Sequence, residues 1–348
     1  DITDGNFPMP QYFYDFECYS INYPNSTLNW FKYITEYKYY LEIIENQVNT
    51  RAIICYNLPA ASLYRLKNYC LKKGIKIISD CTEWYEAPKT GGFLNRNVKR
   101  VDIRWRMRNL HFKLDGIISI SEFLNRYYST YNQKSIKVPP LVDVRDAKWV
   151  NKIVITDRPI QFVYSGSPFS LSRKSRAKDR LDLIIRAMAA LKKEGRDFCL
   201  HIVGVELESF LDIHPNFEDD ISILEGSDKF YGRVSHTKSV ELLKSSDFSI
   251  FVRDSNIVTK AGFPTKFVES ITSGIPVLTN KNSNIEDYLK EGENGFWVSI
   301  DSPESIKESI EKAVLLKPEE LYLMKINCKN SKTFDYHNYL EDFKFLLD

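Results

Sequence analysis

The stretch SSDFSIFVRDSNIVTKAGFPTKFVESITSGIPVLTN, residues Ser245–Asn280, decides the fold. Asp247–Val252 is a β-rich apolar run, and the polar residues Arg253 to Gly262 read as a long loop. Pro264 suits the first turn of a helix, Gly274 its C-terminal stop, and Pro276–Thr279 starts a second apolar strand. The loop delivers Gly262, Phe263, Thr265 and Lys266 to the helix N-terminus. Unpaired backbone N–H groups and the helix dipole favour an anion there, and Lys266 adds a full positive charge. Glu269 follows one turn into the helix, where a pure anion site would want no carboxylate. It makes sense beside a ligand that also carries hydroxyls, as a ribose does. Phosphate plus diol means a nucleotide. The alternative is an ordinary helix between two strands, with Pro264, Gly274 and Glu269 serving only as caps.

The run Gly262-Phe263-Pro264-Thr265-Lys266-Phe267-Val268-Glu269, closing on Gly274-Ile275-Pro276-Val277, resembles the Pro-x-Lys-x-x-Glu helix and Gly-x-Pro-Val turn of retaining glycosyltransferases of family 4, the type that builds bacterial surface polysaccharides. The resemblance implies a GT-B fold of two Rossmann-like, doubly wound α/β domains facing across a cleft. A nucleoside-diphosphate sugar would bind the C-terminal domain and an acceptor the N-terminal one. The same resemblance continues upstream. Gly166 follows the apolar strand Gln161–Ser165, and Arg173 and Lys178 stand in a basic loop before the amphipathic helix Arg180–Lys193. By resemblance Arg173 and Lys178 hold the diphosphate and, with Lys266, neutralise charge on the leaving group. The alternative is a solvated lysine-rich loop. Arg233 and Val234 sit in a turn that in the family contacts the base, largely through backbone. The family's first glutamate, separated from the second by seven residues, is Ala261 here; Asp254 and Lys260 are possible substitutes. Backbone N–H groups of Ala261, Gly262 and Phe263 remain to face sugar and phosphate.

A chain of 348 residues suits two domains. We expect an N-terminal, acceptor-binding domain over 1–145, joined by a C-terminal helix over about 334–348 that packs back on it, and a nucleotide-sugar domain over 158–333. In the first half, apolar periodicity places a helix within Leu28–Asn46, strands at Arg51–Tyr56, Ile75–Cys81, Gly116–Ser121 and Ile136–Val142, and helices at Ala60–Lys73, Val98–Leu114 and Glu122–Tyr131. This alternation argues for a parallel sheet. No apolar strand and Gly-rich turn opens the domain, so it either begins irregularly or is incomplete. In the second half, Phe198–Val203 is a strand in which His201 reads as a packed core histidine, 206–229 reads as irregular, and Ser302–Leu315 is a helix capped by Asp301 or Ser302.

Asp80 or Glu83, at the C-terminal end of a strand, could orient an acceptor hydroxyl or take its proton; the alternative is an Asp that ends the strand and caps the next turn. Arg96–Lys113 holds Arg96, Lys99, Arg100, Arg104, Arg106, Arg108 and Lys113 against a lone Asp102. Such a surface could meet anionic lipid headgroups or the phosphate of a lipid-linked acceptor, or simply be a solvated face. No nucleic-acid module accompanies it, so no nucleic-acid partner is expected.

The net charge of +2 selects no partner. The six cysteines show no C-x-x-C pairing and read as free thiols of a reducing compartment. No run approaches a membrane span and no signal-peptide pattern opens the chain. A cytoplasmic protein, peripheral at most on the inner face of the membrane, is expected. No D-x-D pair at a strand end and no His or Cys cluster implies a metal, and no cofactor is expected beyond the nucleotide-sugar substrate. The sequence therefore reads as a metal-independent hexosyltransferase acting with retention on a glycan or lipid-linked acceptor. Rival readings are a non-catalytic sugar-nucleotide-binding or scaffold subunit of a glycan assembly complex, and a nucleotide-sugar epimerase or phosphorylase of the same fold.

Overall fold

The structure is a computed structural model that describes residues 10–13, 16–20, 24–86, 92–132, 134–155, 158–168 and 178–348. By its contacts the chain divides into two compact units. The first comprises Asp1–Asp80, Tyr85–Ile117 and Tyr131–Gln133; the second comprises Cys81–Trp84, Ile118–Thr130 and Lys134–Asp348.

The aromatic run near the N-terminus forms an antiparallel hairpin of β1 (Gln11–Phe13) and β2 (Phe16–Cys18). The alternating pattern that follows gives β3 (Ala52–Tyr56), β4 (Lys76–Cys81), β5 (Gly116–Ser119) and β6 (Ser135–Lys137), in the order β3-β4-β5-β6, with β3 and β4 parallel. Helix Ala60–Lys73 buries Leu63, Leu66 and Cys70 at helical spacing and stops at Gly74, whose φ of +70° is left-handed. Its own N-cap, Pro59, offers no side-chain acceptor. Asp102 supplies one from a distant helix, its Oδ1 accepting from Ala60 N at 2.7 Å.

The second unit is built on β7 (Ile160–Ser165), β8 (Phe198–Val203), β9 (Asp228–Phe230), β10 (Phe248–Ile250), β11 (Val277–Thr279) and β12 (Gly295–Trp297). The order is β12-β11-β10-β7-β8-β9, with every pairing parallel. The chain thus starts in the middle, winds out one way through β8 and β9, returns to β10, and winds out the other way. Strands buried on both faces need near-continuous apolar runs, and FCLHIV and IQFVYS supply them. Phe162 sits at the centre, stacked on Phe248 at 5.8 Å and edge-on to Phe198 at 6.3 Å between ring centroids. Helix Leu181–Lys193 lays Ile184, Ile185, Met188 and Leu191 into this core and packs against helices Pro303–Val314 and Glu218–Leu224. Helix Leu340–Leu347 packs on β6 within the same unit, with Lys134 Nζ 5.7 Å from the Phe345 ring.

Three expectations need correction. Residues 253–262 are not all loop: Ile257–Ala261 is a helical turn held by a capping box on Asn256. The irregular reading of 206–229 fails as well, since Leu207–Ile213 and Glu218–Leu224 are helices too short to show a full apolar stripe. The helix expected over Val98–Leu114 starts earlier, at Phe93, and changes at Arg106 into a π-helical turn, Arg106–Leu110.

Candidate functional site

In a doubly wound sheet, ligands bind where the strand order reverses, beyond the carboxyl ends of the two strands that diverge. Here those strands are β7 and β10. Gly166 follows β7, and Arg253 lies three residues beyond β10.

A buried charge cluster occupies this point. The Asp179 carboxylate, with 5% of its side chain exposed, accepts from Lys266 Nζ at 2.5 Å, Arg253 Nε at 2.6 Å and the Tyr164 hydroxyl at 2.9 Å. Burial alone would raise its pKa; the Lys266 and Arg253 charges outweigh this and hold it well below the usual carboxylate range. Lys266, 14% exposed, is shifted down mainly by burial, with Asp179 opposing. Its ammonium also lies 4.4 Å from the Tyr164 ring and 5.3 Å from the Phe251 ring. Burial and then Asp179 push the Tyr164 hydroxyl well above its ordinary value, so it stays a donor. Arg253 is fixed at both backbone ends by one side chain. Asn280 Oδ1 accepts from Arg253 N, and Asn280 Nδ2 donates to Arg253 O, both at 2.8 Å. Arg253 and Asp179 are what sequence reasoning missed. A buried ion pair across 74 residues leaves no local pattern, although an arginine directly after an apolar strand was a signal.

The floor beside this cluster has no side chains. Gly166 N donates to Val203 O at 2.9 Å, and Gly204 N donates to Gly232 O at 2.7 Å, linking the ends of β7, β8 and β9. A Cβ on Gly166 would stand 2.7 Å from Lys266 Nζ; one on Gly204 would stand 2.6 Å from the Gly166 carbonyl oxygen. Both residues have positive φ, +150° and +94°.

The remaining residues singled out from sequence are placed as follows. Thr265 is exposed at the start of helix Thr265–Thr272, whose N-terminus has no side-chain cap. Phe263 is buried among Phe267, Tyr288 and Phe334, which leaves only its backbone for a ligand. The Gly262 N–H, expected to face a ligand, instead donates to Val258 O at 3.1 Å, because the unforeseen helical turn uses it. The Ala261 carbonyl accepts from Ser121 Oγ at 2.7 Å. Glu269 is partly exposed, with Oε1 3.3 Å from His236 Nε2. The Val234 side chain packs toward Val163, Val203, Leu243 and Ile275. Lys178, 58% exposed, directly precedes Asp179 and pairs with Glu83 at 3.2 Å. Of the two substitutes weighed for Ala261, Asp254 pairs with Arg180 at 2.9 Å. Asp80 is half-buried near the end of β4 in the first unit, and burial raises its pKa. Arg173 lies outside the described residues. His201 is packed as expected, between Tyr231 OH and Gln161 Oε1 at 3.0 and 2.9 Å. Among the described residues no group of three or more His, Cys, Asp or Glu could hold a metal ion, and no helix is long and apolar enough to cross a membrane.

Such a site can hold an anion against Lys266 and the helix start, with Glu269 and His236 near by for hydroxyls. Residues 157–329 match the family "Glycosyl transferases group 1". The uncharacterized glycosyltransferase MJ1069 of Methanocaldococcus jannaschii is 26% identical over 159 residues, 45% of this chain and 37% of that protein. Among solved structures, a glycosyltransferase from Rickettsia africae superposes with a TM-score of 0.65 at 15% identity, covering 95% of this chain and 85% of the other. Staphylococcus aureus TarM gives 0.64 at 14% identity, covering 89% and 57%. The chain thus spans well under two thirds of MJ1069 and of TarM.

Proposed function

We propose, on the premise of a GT-B-type fold whose residues 157–329 match the group 1 glycosyl transferases, that this protein moves a sugar from a nucleoside-diphosphate sugar to an acceptor. The observation that carries the reading is the pairing of a side-chain-free floor at Gly166 and Gly204 with buried cations at the sheet's switch point. A diphosphate needs both: close backbone approach and positive charge. Glu269 takes the ribose hydroxyls. As the bond from the sugar's anomeric carbon to the diphosphate breaks, negative charge builds on the leaving oxygen. Lys266, Lys178 and Arg173 stabilise it without a metal. No protein nucleophile is required. The acceptor hydroxyl attacks the face the diphosphate leaves, which retains configuration, and Asp80 or Glu83 takes its proton. Uridine is the base to test first, since structures of TarM and of Anabaena HepE, similar in fold, hold UDP.

The acceptor is a glycan or a lipid-linked glycan of surface-polysaccharide type. Helix Phe93–Trp105 and the turn after it support work at the inner face of a membrane. Phe93, Val101 and Trp105 are exposed beside exposed Arg100, Arg104 and Arg108, while Asp102 turns inward to cap another helix. Ala261, lacking the carboxylate of the resembled motif, favours a second reading, a subunit that binds sugar nucleotide without turning it over.

A thermal-shift screen against UDP-, GDP-, ADP- and CMP-sugars, followed by a donor-hydrolysis assay, separates the two. Lys266→Ala and Glu269→Ala should each weaken nucleotide-diphosphate binding about tenfold or more by calorimetry, the scale of a charge-assisted hydrogen bond. Unchanged affinity in both variants defeats the assignment. Binding without hydrolysis or transfer leaves the second reading.

A further inference from the structure

Arg253 belongs to the cluster at the switch point, yet the glycosyl transfer proposed above gives it no part. Its inner end is held firmly. Asp179 Oδ1 accepts from Nε at 2.6 Å, Asn280 grips the backbone N–H and carbonyl at 2.8 Å each, and the guanidinium carbon lies 5.6 Å from the Phe251 ring centroid. None of these contacts uses the outer end of the guanidinium. Among the described residues Nη1 and Nη2 donate to no acceptor, and neither is sealed from solvent, although only 12% of the side chain is exposed. A fixed, planar group therefore presents free N–H bonds to open space beyond the carboxyl end of β10.

No second carboxylate of the chain claims that end. Asp179 is shared with Lys266. Asp254, the next residue, pairs instead with Arg180, whose Nη1 donates to Asp254 at 2.9 Å and Nη2 to Asp182 at 2.7 Å. The sheet order says what the free end of Arg253 would meet. Strands β9, β8, β7 and β10 are consecutive neighbours, and past their carboxyl ends stand Gly232, Gly204, Gly166 and Arg253 in the same order. Glu269, assigned above to the ribose, is tied to His236, four residues past Gly232. A nucleotide with its ribose at this pair and its phosphates over the glycine floor runs toward β10. Its last phosphate then arrives at the Nη1–Nη2 end of Arg253. A guanidinium fork suits a phosphate, which it can hold through two parallel bonds.

We propose that Arg253 binds the distal phosphate of the nucleoside diphosphate through Nη1 and Nη2, with Asp179 orienting the guanidinium from behind. That phosphate carries the oxygen on which charge builds as the sugar departs, so a preorganised donor pair there stabilises the leaving group. The assignment rests on the nucleotide reading for the identity of the ligand. The test compares UDP (or GDP or ADP, whichever binds), the matching monophosphate and inorganic pyrophosphate on the full chain. Phenylglyoxal, which condenses with the two Nη nitrogens of a reachable arginine, should label Arg253 of the unmutated protein, as mapped by peptide mass spectrometry. Saturating diphosphate or pyrophosphate should block the label, and the monophosphate should not. Arg253→Lys keeps the charge and loses the fork; by calorimetry it should bind the diphosphate at least about tenfold more weakly and the monophosphate within about twofold of wild type. A residue that served only to hold Asp179 in place would weaken both nucleotides alike. The labelling needs no variant, so a misfolded Arg253→Lys protein does not spare the proposal. An Arg253 left unlabelled in the free protein overturns it, as does equal labelling with and without diphosphates, or equal loss of both nucleotides in a folded Arg253→Lys. Protection by pyrophosphate with no binding of UDP, GDP or ADP leaves the oxyanion site standing and sinks the nucleotide reading instead.

Discussion

Asp179→Asn is the most informative single change in the second unit. Asparagine keeps the shape and one acceptor oxygen for the Tyr164 hydroxyl, but removes the charge that two cations share. Lys266 and Arg253 have 14% and 12% of their side chains exposed, so water can replace little of what is lost. Breaking a buried pair from one side costs about 3–5 kcal/mol, because the partner charges stay behind uncompensated. With a urea m value of about 2–3 kcal/mol/M, the midpoint should fall by roughly 1–2 M. The acid limb should change too. The folded pKa of Asp179 is depressed, so its contribution is complete above the unfolded carboxylate range and is lost as pH falls toward the folded value. The variant should therefore lose stability less steeply than wild type below about pH 4. Pyrophosphate, if it takes the vacated counter-charge role, should restore more stability to the variant than to wild type. A midpoint shift corresponding to under about 1 kcal/mol would refute the reasoning, since it would mean that the two contacts contribute no more than surface pairs do.

Two further outcomes can be checked simply. Gly204→Ala forces a Cβ to 2.6 Å from a backbone oxygen at a φ of +94°, and should lower stability by about 1–3 kcal/mol while abolishing nucleotide-induced thermal shift. His111 is buried and neutral, with a folded pKa pushed down to about 3. The unfolded chain takes up its proton first as pH falls, so stability should drop by about 1.4 kcal/mol per pH unit between roughly pH 6 and pH 3. His111→Gln should flatten that slope in denaturation curves taken across the range.

The parallel sheets and the order of their elements were legible because strands buried on both faces must be apolar and helices must be amphipathic, whatever the ligand. Two glycines were legible as punctuation: Gly166 and Gly274 both stand where the chain turns with positive φ. Short helices were not. Ile257–Ala261 shows no stripe, and its one sequence mark is Asn256 followed three residues later by Thr259. Charge was the least legible property. The basic run 96–113 shows no clean apolar stripe and reads as a surface for anions or as a solvated face, and the structure divides it. Arg100, Arg104 and Arg108 go to solvent, Arg106 goes inside, and Asp102 caps a helix 42 residues away. Lys266 reads as an open cation and is found already engaged by Asp179. Which partner a buried charge meets depends on the three-dimensional path of the backbone, and spacing along the sequence does not encode it.

The linked strand ends at Gly166, Gly204 and Gly232 carry a consequence for anyone wishing to retune this protein. Backbone hydrogen bonds join these ends, all three glycines have positive φ, and a Cβ would meet the Gly166 carbonyl oxygen at position 204, Lys266 at 166 and Glu206 at 232, so substitution there costs folding before it alters preference. A change of sugar or base has to be sought among the surrounding residues that do project side chains, such as Glu206, Arg233 and His236. The floor works as a fixed datum against which those variable groups are measured.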